Sequence, residues 1–225
     1  MKSLEALFLD LNDIKVIDSS IPYSQYFPLD LSAGNAELYQ LNLSDANAFE
    51  EYIEKYLIKN NATIAYGGYN EVRNLYKRST AFNDFNSEER NIHIGMDLWI
   101  KSGTKVLVAL DGKVHSFQNN KSLGDYGPTI IMEHQLENHV FYTLYGHLAM
   151  ESIESIQVGD FFEKGQSLAI LGNSIVNGDY APHLHFQIIK DIESNFGDYP
   201  GVCSKSKLDY YLENCPDPNL LLKIY

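Results

Sequence analysis

The sequence predicts a mainly β fold of the α+β class, in which an antiparallel β-sheet or sandwich follows a small α-containing subdomain. From about Thr63 onward, short runs rich in β-branched and aromatic residues are separated by glycine and asparagine. Most of these runs have no helical pattern between them, which favours an antiparallel sheet over a βαβ design. The predicted strands are residues 105–110, 112–118, 129–133, 140–145, 167–171 and 184–189. Asp111-Gly112 predicts a tight turn between the first two.

One amphipathic helix is predicted before the strands, over residues 45–60. Its apolar positions recur at spacings of three and one, which places them on one helical face. They are Phe49, Tyr52, Ile53, Tyr56 and Leu57. Ser44 or Asp45 is the predicted N-cap, and Asn60-Asn61 is the predicted stop.

The change of pattern near residue 65 predicts two parts. Residues 1–65 are expected to form an α/β packing subdomain, and residues 66–225 to form the domain that carries the chemistry. Its last stretch, 190–225, reads as a C-terminal extension with a short helix over 205–213. A length of 225 residues fits one large domain, or one domain with an appended subdomain.

Charge excludes two classes of partner. The chain has 17 basic and 30 acidic residues, a net charge of −13, whereas nucleic acids and anionic membranes attract the opposite sign. No segment reaches the roughly 20 apolar residues of a membrane helix, so we expect a soluble protein that neither binds nucleic acid nor inserts into a membrane.

The N-terminus and the cysteines favour a cytoplasmic protein. Glu5, Asp10 and Asp13 interrupt the place where the apolar run of a secretory signal would lie. A processed mature form of a cell-envelope protein would not carry that run and stays open as the alternative. Cys203 and Cys215 are the only cysteines, and we expect them to be reduced and structural, although a bridge between them is geometrically allowed.

Two histidines at alternate positions are the first chemical signal. In a strand, positions i and i+2 project from one face about 7 Å apart, so His183 and His185 share a face while Leu184 and Phe186 point into a core. Such a pair suits a site where one imidazole binds a metal ion and the other contacts what the metal binds. Two exposed histidines without a common partner are the alternative.

A histidine and a carboxylate four positions apart are the second signal. His93 and Asp97 are separated by a segment with Gly95, which permits the backbone to bend so that both reach one ion. Catalytic zinc takes imidazole and carboxylate ligands and keeps a position for water. Taken alone, such a pair is usually a solvated ion pair; together with His183-x-His185 it predicts an open zinc site.

At this point the chain resembles a known family. His93-x-x-x-Asp97, then Tyr145-Gly146-His147-Leu148, and finally Pro182-His183-Leu184-His185-Phe186 resemble the motifs of peptidase family M23, the lysostaphin-like or LytM-like zinc endopeptidases. The resemblance spans roughly residues 67–189. Within the family, residues 124–128 and the tail resemble the domains fused to class-III aminotransferases in some bacteria.

The resemblance implies one Zn²⁺ per chain, bound by His93, Asp97 and His185. It also implies that His147 and His183 act on the attacking water and the scissile carbonyl, without saying which of them is the general base. The implied substrate is a peptide, typically a peptidoglycan cross-bridge. An asparagine or aspartate upstream of His93 is expected to be able to block the zinc.

Two other functions stay open: a zinc hydrolase of a small cytosolic amide, and a non-catalytic binding module with the same fold. The oligomeric state is not predicted. Among the remaining histidines, His115 is expected to be structural, and His134 and His139 to flank a solvated hairpin tip at residues 135–138.

Overall fold

The computed structural model describes residues 2–43, 45–78 and 88–225. An eight-stranded sheet dominates it, in the order β1-β2-β5-β12-β9-β8-β7-β10, beside a three-stranded sheet β13-β4-β3 and a two-stranded sheet β11-β6. The strands are β1 (Tyr26–Pro28), β2 (Ile64–Gly67), β3 (Glu71–Val72), β4 (Arg90–His93), β5 (Met96–Trp99), β6 (Lys105–Leu107), β7 (Gly112–Asn120), β8 (Gly127–Leu136), β9 (His139–Gly146), β10 (Phe161–Phe162), β11 (Ser167–Ile170), β12 (His183–Ile189) and β13 (Val202–Ser204). In the described ranges only β1 and β2 pair in parallel. The mainly antiparallel α+β fold is confirmed.

Five α-helices lie around the sheets in the described ranges. They are α1 (Leu4–Asp10), α2 (Ala46–Lys59), α3 (Glu151–Glu154), α4 (Leu208–Asn214) and α5 (Asn219–Leu222). None of the helices within those ranges has the length and apolar character to cross a bilayer.

Helix α2 agrees with its prediction. The Asp45 side chain caps it by accepting bonds from the backbone N–H groups of Asn47 and Ala48. Phe49 and Ile53 are buried against Leu29 and Leu31. The alternative cap, Ser44, lies outside the described residues. The predicted C-terminal helix begins as a 3₁₀ turn (Lys205–Lys207) and continues as α4.

The predicted turn at Asp111-Gly112 does not join two paired strands. Strand β6 pairs with β11, and β7 pairs with β8 and β10, so the two strands on either side of this dipeptide belong to different sheets. A turn signal reports local backbone preference, whereas strand pairing is decided by residues far away in the chain.

Strand β12 separates the core from the site. All seven of its residues are buried, since it lies between β5 and β9 and is covered on both faces. Leu184, Phe186 and Ile188 enter the main hydrophobic core. His183, His185 and Gln187 therefore project from the opposite face, as alternation requires.

Candidate active site

The floor of the site is the antiparallel pair of β5 and β12. Asp97 lies opposite His185, and Trp99 lies opposite His183. Directly opposite residues share a face, with β-carbons about 5 Å apart. Register alone thus brings the aspartate to the second histidine of the motif.

His93 reaches this floor from the three-stranded sheet. It ends β4, opposite Val202 of β13, and Ile94-Gly95 leads into β5. A β-carbon at Gly95 would lie 2.5 Å from the His185 ring. Glycine is needed here because the backbone passes close to that ring, which is more specific than the bend expected from the sequence.

His93, Asp97 and His185 form what we call the metal-donor cluster. His93 Nε2 lies 2.9 Å from His185 Nδ1 and 3.3 Å from Asp97 Oδ1, and His185 Nδ1 lies 3.1 Å from the same oxygen. One ligand atom from each residue falls within 4.8 Å of the others, and all three residues are buried.

The hydrogen bonds behind the rings decide which nitrogens carry lone pairs. His93 Nδ1 lies 2.8 Å from the Gly68 carbonyl oxygen, which can only accept, so this nitrogen holds the proton. His185 Nε2 lies 2.9 Å from Gln187 Oε1, while the Gln187 amide nitrogen donates to the Pro200 carbonyl and to Cys215 Sγ. His93 Nε2 and His185 Nδ1 are then both unprotonated in the neutral rings.

These two lone pairs and an Asp97 oxygen point at one another with no proton to share between the rings. Such an arrangement is repulsive by itself and becomes favourable around a cation. Two imidazoles and a carboxylate are donors that Zn²⁺ accepts. The residues present therefore fit a zinc ion.

Burial and charge keep the donors in their binding forms. Burial, followed by the positive charge of Arg73, lowers the pKa of His93 to about 4. Burial alone would raise the pKa of Asp97, but the charges of His93 and Arg73 outweigh it and hold the pKa well below its usual range. At neutral pH, His93 is neutral and Asp97 is ionised.

His147 and His183 form what we call the histidine pair. Their ring centroids lie 4.2 Å apart. Nδ1 of His147 donates to the Asn177 carbonyl and Nδ1 of His183 to the Ala181 carbonyl. Each ring therefore keeps an unprotonated Nε2, and that of His183 lies 3.8 Å from Asp97 Oδ1.

The histidine pair is also neutral at physiological pH. Burial, then the neighbouring His183, lowers the pKa of His147 well below its usual range, and burial lowers the pKa of His183. His147 has φ +63°, in the left-handed region. This conformation costs on the order of 1 kcal/mol or more for a non-glycine residue and is typical of functional positions.

The metal-donor cluster and the histidine pair line the same cleft. Tyr126 and Tyr180 stand over the rings, with centroids 5.5 Å and 5.2 Å from that of His147. Trp99 is buried, and its ring stacks on that of His183 with centroids 5.6 Å apart. The structure thus brings all five sequence-predicted site residues together.

Other expectations have mixed outcomes. The solvated hairpin tip is confirmed, since residues 135–138 lie at the turn between the paired strands β8 and β9 and are exposed or half-buried. His134, which flanks the tip, is itself buried and bonds the Asp111 carbonyl and the Thr143 hydroxyl. His115 is partly buried, 2.8 Å from Ser116 Oγ. Cys203 and Cys215 are free and buried.

Sequence reasoning missed three residues of the site. Arg73 bonds Asp97, Gln187 bonds His185, and Tyr126 packs on His185 and His147. Gln187 continues the alternation of His183 and His185, so the strand pattern contained its signal. Arg73 has no comparable signal, because its partner is 24 positions away in another sheet. Blocking by an upstream asparagine or aspartate stays a prediction.

Comparison with known proteins identifies a family for the central segment. The profile of peptidase family M23 matches residues 91–196, which contain the metal-donor cluster and the histidine pair but not Arg73. No curated protein matches the chain.

Several solved structures are similar in part. The catalytic domain of the antimicrobial peptidase lysostaphin from Staphylococcus simulans is 23% identical, with 54% of this chain and 80% of that chain covered and a TM-score of 0.38. A putative peptidase M23 from Pseudomonas aeruginosa is 17% identical, covering 58% and 44%, with a TM-score of 0.40. A zinc-containing peptidase from Vibrio cholerae is 26% identical, covering 48% and 32%, with a TM-score of 0.36.

Proposed function

Since residues 91–196 match the model of peptidase family M23, we propose that the protein is a zinc-dependent metalloendopeptidase that hydrolyses a peptide bond. The observation that carries the proposal is the convergence of two unprotonated ring nitrogens and one carboxylate oxygen in the metal-donor cluster. His93 Nε2, Asp97 Oδ1 and His185 Nδ1 would hold one Zn²⁺. When bound, zinc supplies a Lewis acid that polarises the scissile carbonyl and lowers the pKa of water.

The histidine pair carries the proton chemistry in this proposal. A backbone carbonyl accepts the Nδ1 proton of each ring, so each ring can exchange a proton only at Nε2. One Nε2 would take the proton of the attacking water and pass it to the leaving amine. The other Nε2, which carries no proton at neutral pH, would accept a hydrogen bond from the water or the substrate and so orient it. The lowered pKa values keep both rings able to accept a proton at neutral pH.

Burial of the site supports the same reading. All five residues are nearly inaccessible to solvent. Little water then competes for the proton acceptors, and electrostatic interactions are stronger than at an open surface. The tyrosine rings of Tyr126 and Tyr180 would orient the peptide over the histidine pair.

The proposed substrate is a peptide of the kind found in peptidoglycan cross-bridges, as the resemblance of the histidine and aspartate motifs to family M23 implies. We further propose that residues 1–65 serve as a packing subdomain. Strands β1 and β2 extend the same sheet that carries Asp97 and His185, so this region supports the floor of the site.

Metal analysis and hydrolysis assays test the proposal together. Protein purified without added zinc is expected to carry close to one zinc per chain and to cleave pentaglycine or cross-linked muropeptides faster than a panel of small amides. Asp97→Ala is expected to lose both metal and activity, because it removes the anionic ligand. A wild-type protein that stays metal-free after zinc supplementation contradicts the proposal. Turnover confined to the small amides favours the cytosolic amide hydrolase, and bound metal without any turnover favours the binding module.

A further inference from the structure

A fully buried cation lies directly behind the metal-donor cluster. Arg73 follows β3 and precedes the segment that matches the family. Its side chain is 1% exposed, and its backbone N–H donates to the carbonyl of Asn91 in β4. The residue is therefore held by the same three-stranded sheet that carries His93.

The guanidinium reaches the oxygen of Asp97 that faces away from the other two donors. Arg73 Nη1 lies 2.6 Å from Asp97 Oδ2, whereas Oδ1 is the oxygen near His93 and His185. Arg73 Nε lies 2.5 Å from Glu71 Oε2, and the guanidinium carbon lies 5.6 Å from the centre of the Trp99 ring. One cation thus bridges a candidate metal ligand and a second carboxylate.

Stability alone does not account for this residue. Removing an arginine from water costs several kcal/mol, and replacing a buried ion pair by apolar side chains is often neutral or stabilising. Moreover, Arg73 Nη2 is buried without a hydrogen-bond partner among the described residues. It packs against Gly68, where a β-carbon would lie 1.8 Å from this nitrogen. The fold keeps an incompletely satisfied cation at this place, which is typical of functional sites.

Holding one carboxylate oxygen has a chemical consequence. A carboxylate with both oxygens free can bind a metal ion through both, and a second oxygen would occupy the position that a catalytic zinc keeps for water. A strong bond from a guanidinium to Oδ2 competes with that binding mode. Glu71 meanwhile offsets the positive charge of Arg73, so that the cation repels a bound metal less.

We infer that Arg73 is a positioning residue of the metal centre, which keeps Asp97 a one-oxygen ligand and so preserves an open coordination position. This inference rests on the proposed function. It makes a residue outside the family segment part of the metal site. Outer partners of this kind typically change metal affinity or activity by about 10- to 100-fold when removed.

Cobalt substitution tests the inference without relying on turnover. Four-coordinate Co²⁺ absorbs more strongly in the visible range than five- or six-coordinate Co²⁺. The wild-type protein is expected to show the intense band. Arg73→Met is expected to show a weaker band, because Asp97 then binds through both oxygens, and an affinity for Co²⁺ weaker by about 10-fold or more in competition with a chelator.

Two further variants make the test specific. Arg73→Lys retains a donor for Oδ2 and is expected to recover much of the wild-type band. Glu71→Gln leaves Arg73 and Asp97 in place and is expected to keep the wild-type spectrum, since Glu71 does not touch the donors. If Arg73→Met does not fold, the double variant Glu71→Gln with Arg73→Met leaves no unpaired carboxylate at position 71 and is expected to show the same loss of the band.

The outcomes separate the two proposals. A wild-type protein that binds no Co²⁺ overturns the proposed function. The role of Arg73 is overturned, and the proposed function is not, if the wild-type protein binds Co²⁺ and a folded Arg73→Met or double variant has the same band and affinity. Agreement within about twofold counts as the same.

Discussion

In the metal-donor cluster the free ring nitrogens face one another around a shared carboxylate, whereas in the histidine pair two rings stack and each keeps its own free Nε2. The position of the ring proton is fixed in the same way in the metal-donor cluster and in the histidine pair. A carbonyl oxygen of Gly68, Gln187, Asn177 or Ala181 accepts the proton of one ring nitrogen and leaves the other bare.

The difference lies in what surrounds the bare nitrogens. In the metal-donor cluster, Asp97 adds a fixed negative charge that favours a cation. In the histidine pair, the carboxylate is farther away, 3.8 Å from His183 Nε2, and the tyrosines Tyr126 and Tyr180 lie beside the rings. In the proposed function, these four histidines divide into metal ligands and proton carriers according to their distance from this one carboxylate.

The largest expected effect separates the two groups by function. His147→Ala and His183→Ala are each expected to retain zinc but to lose about 10²- to 10⁴-fold in kcat, the usual contribution of a positioned acid or base. Metal analysis and steady-state kinetics on the same preparations measure this. His139→Ala, at the start of β9, serves as the matched control and should leave both quantities unchanged. Loss of zinc in His147→Ala would show that the histidine pair is not separate from the metal-donor cluster.

An effect of intermediate size is expected on the pH dependence of stability, because the histidines of the metal-donor cluster and of the histidine pair are buried. The pKa of His93 is about 4 when folded, against about 6.5 when unfolded, so the unfolded chain binds more protons between these values. The resulting stability is complete above pH 6.5 and is lost as the pH falls toward 4. From pH 7 to pH 5 the apoprotein should lose about 2 kcal/mol of unfolding free energy through His93 alone.

Urea unfolding of the metal-free protein at both pH values measures this loss. His134 offers a comparison outside both groups, since burial also lowers its pKa to about 4. His93→Gln and His134→Gln should each reduce the pH dependence by a similar amount, while His139→Gln should not. A pH dependence that is the same in all of these proteins would mean that the pKa values of the buried rings do not differ between the folded and the unfolded chain.

The smallest expected effect tests tautomer control in the metal-donor cluster. Gln187→Met removes the acceptor 2.9 Å from His185 Nε2, so His185 is no longer restricted to the tautomer with a bare Nδ1. Zinc affinity should weaken by about tenfold. The control is Tyr126→Phe, because the Tyr126 hydroxyl lies 3.4 Å from the same nitrogen and makes a weaker contact. An equal effect of both variants would mean that packing on His185, rather than the Gln187 acceptor, controls affinity.

Much of the site follows from local pattern. Alternation along a strand predicts that His183 and His185 share a face, and the structure places both on the face opposite Leu184 and Phe186. Helix α2 and its Asp45 cap follow from apolar periodicity and from the preference for aspartate at that position. These features depend only on residues within a few positions of one another.

Errors occur where a distant segment decides. The Asp111-Gly112 signal is overridden because β6 pairs with β11, about 60 residues later. The hairpin tip at residues 135–138 is exposed as predicted, while His134 beside it is buried because its ring packs on Phe141 and bonds Thr143 of the neighbouring strand. The burial of a side chain next to a turn is decided by packing in the sheet.

The sequence by itself determined the kinds of candidate donor, their order along the chain, the strand face that His183 and His185 share and the resemblance of the central segment to family M23. Only the tertiary structure decided which nitrogen of each histidine is bare and which oxygen of Asp97 is held by Arg73. Those choices depend on backbone carbonyls, an amide and a guanidinium, most of them brought from other strands and loops. Hydrogen bonding acts over about 3 Å in space, whatever the separation along the chain.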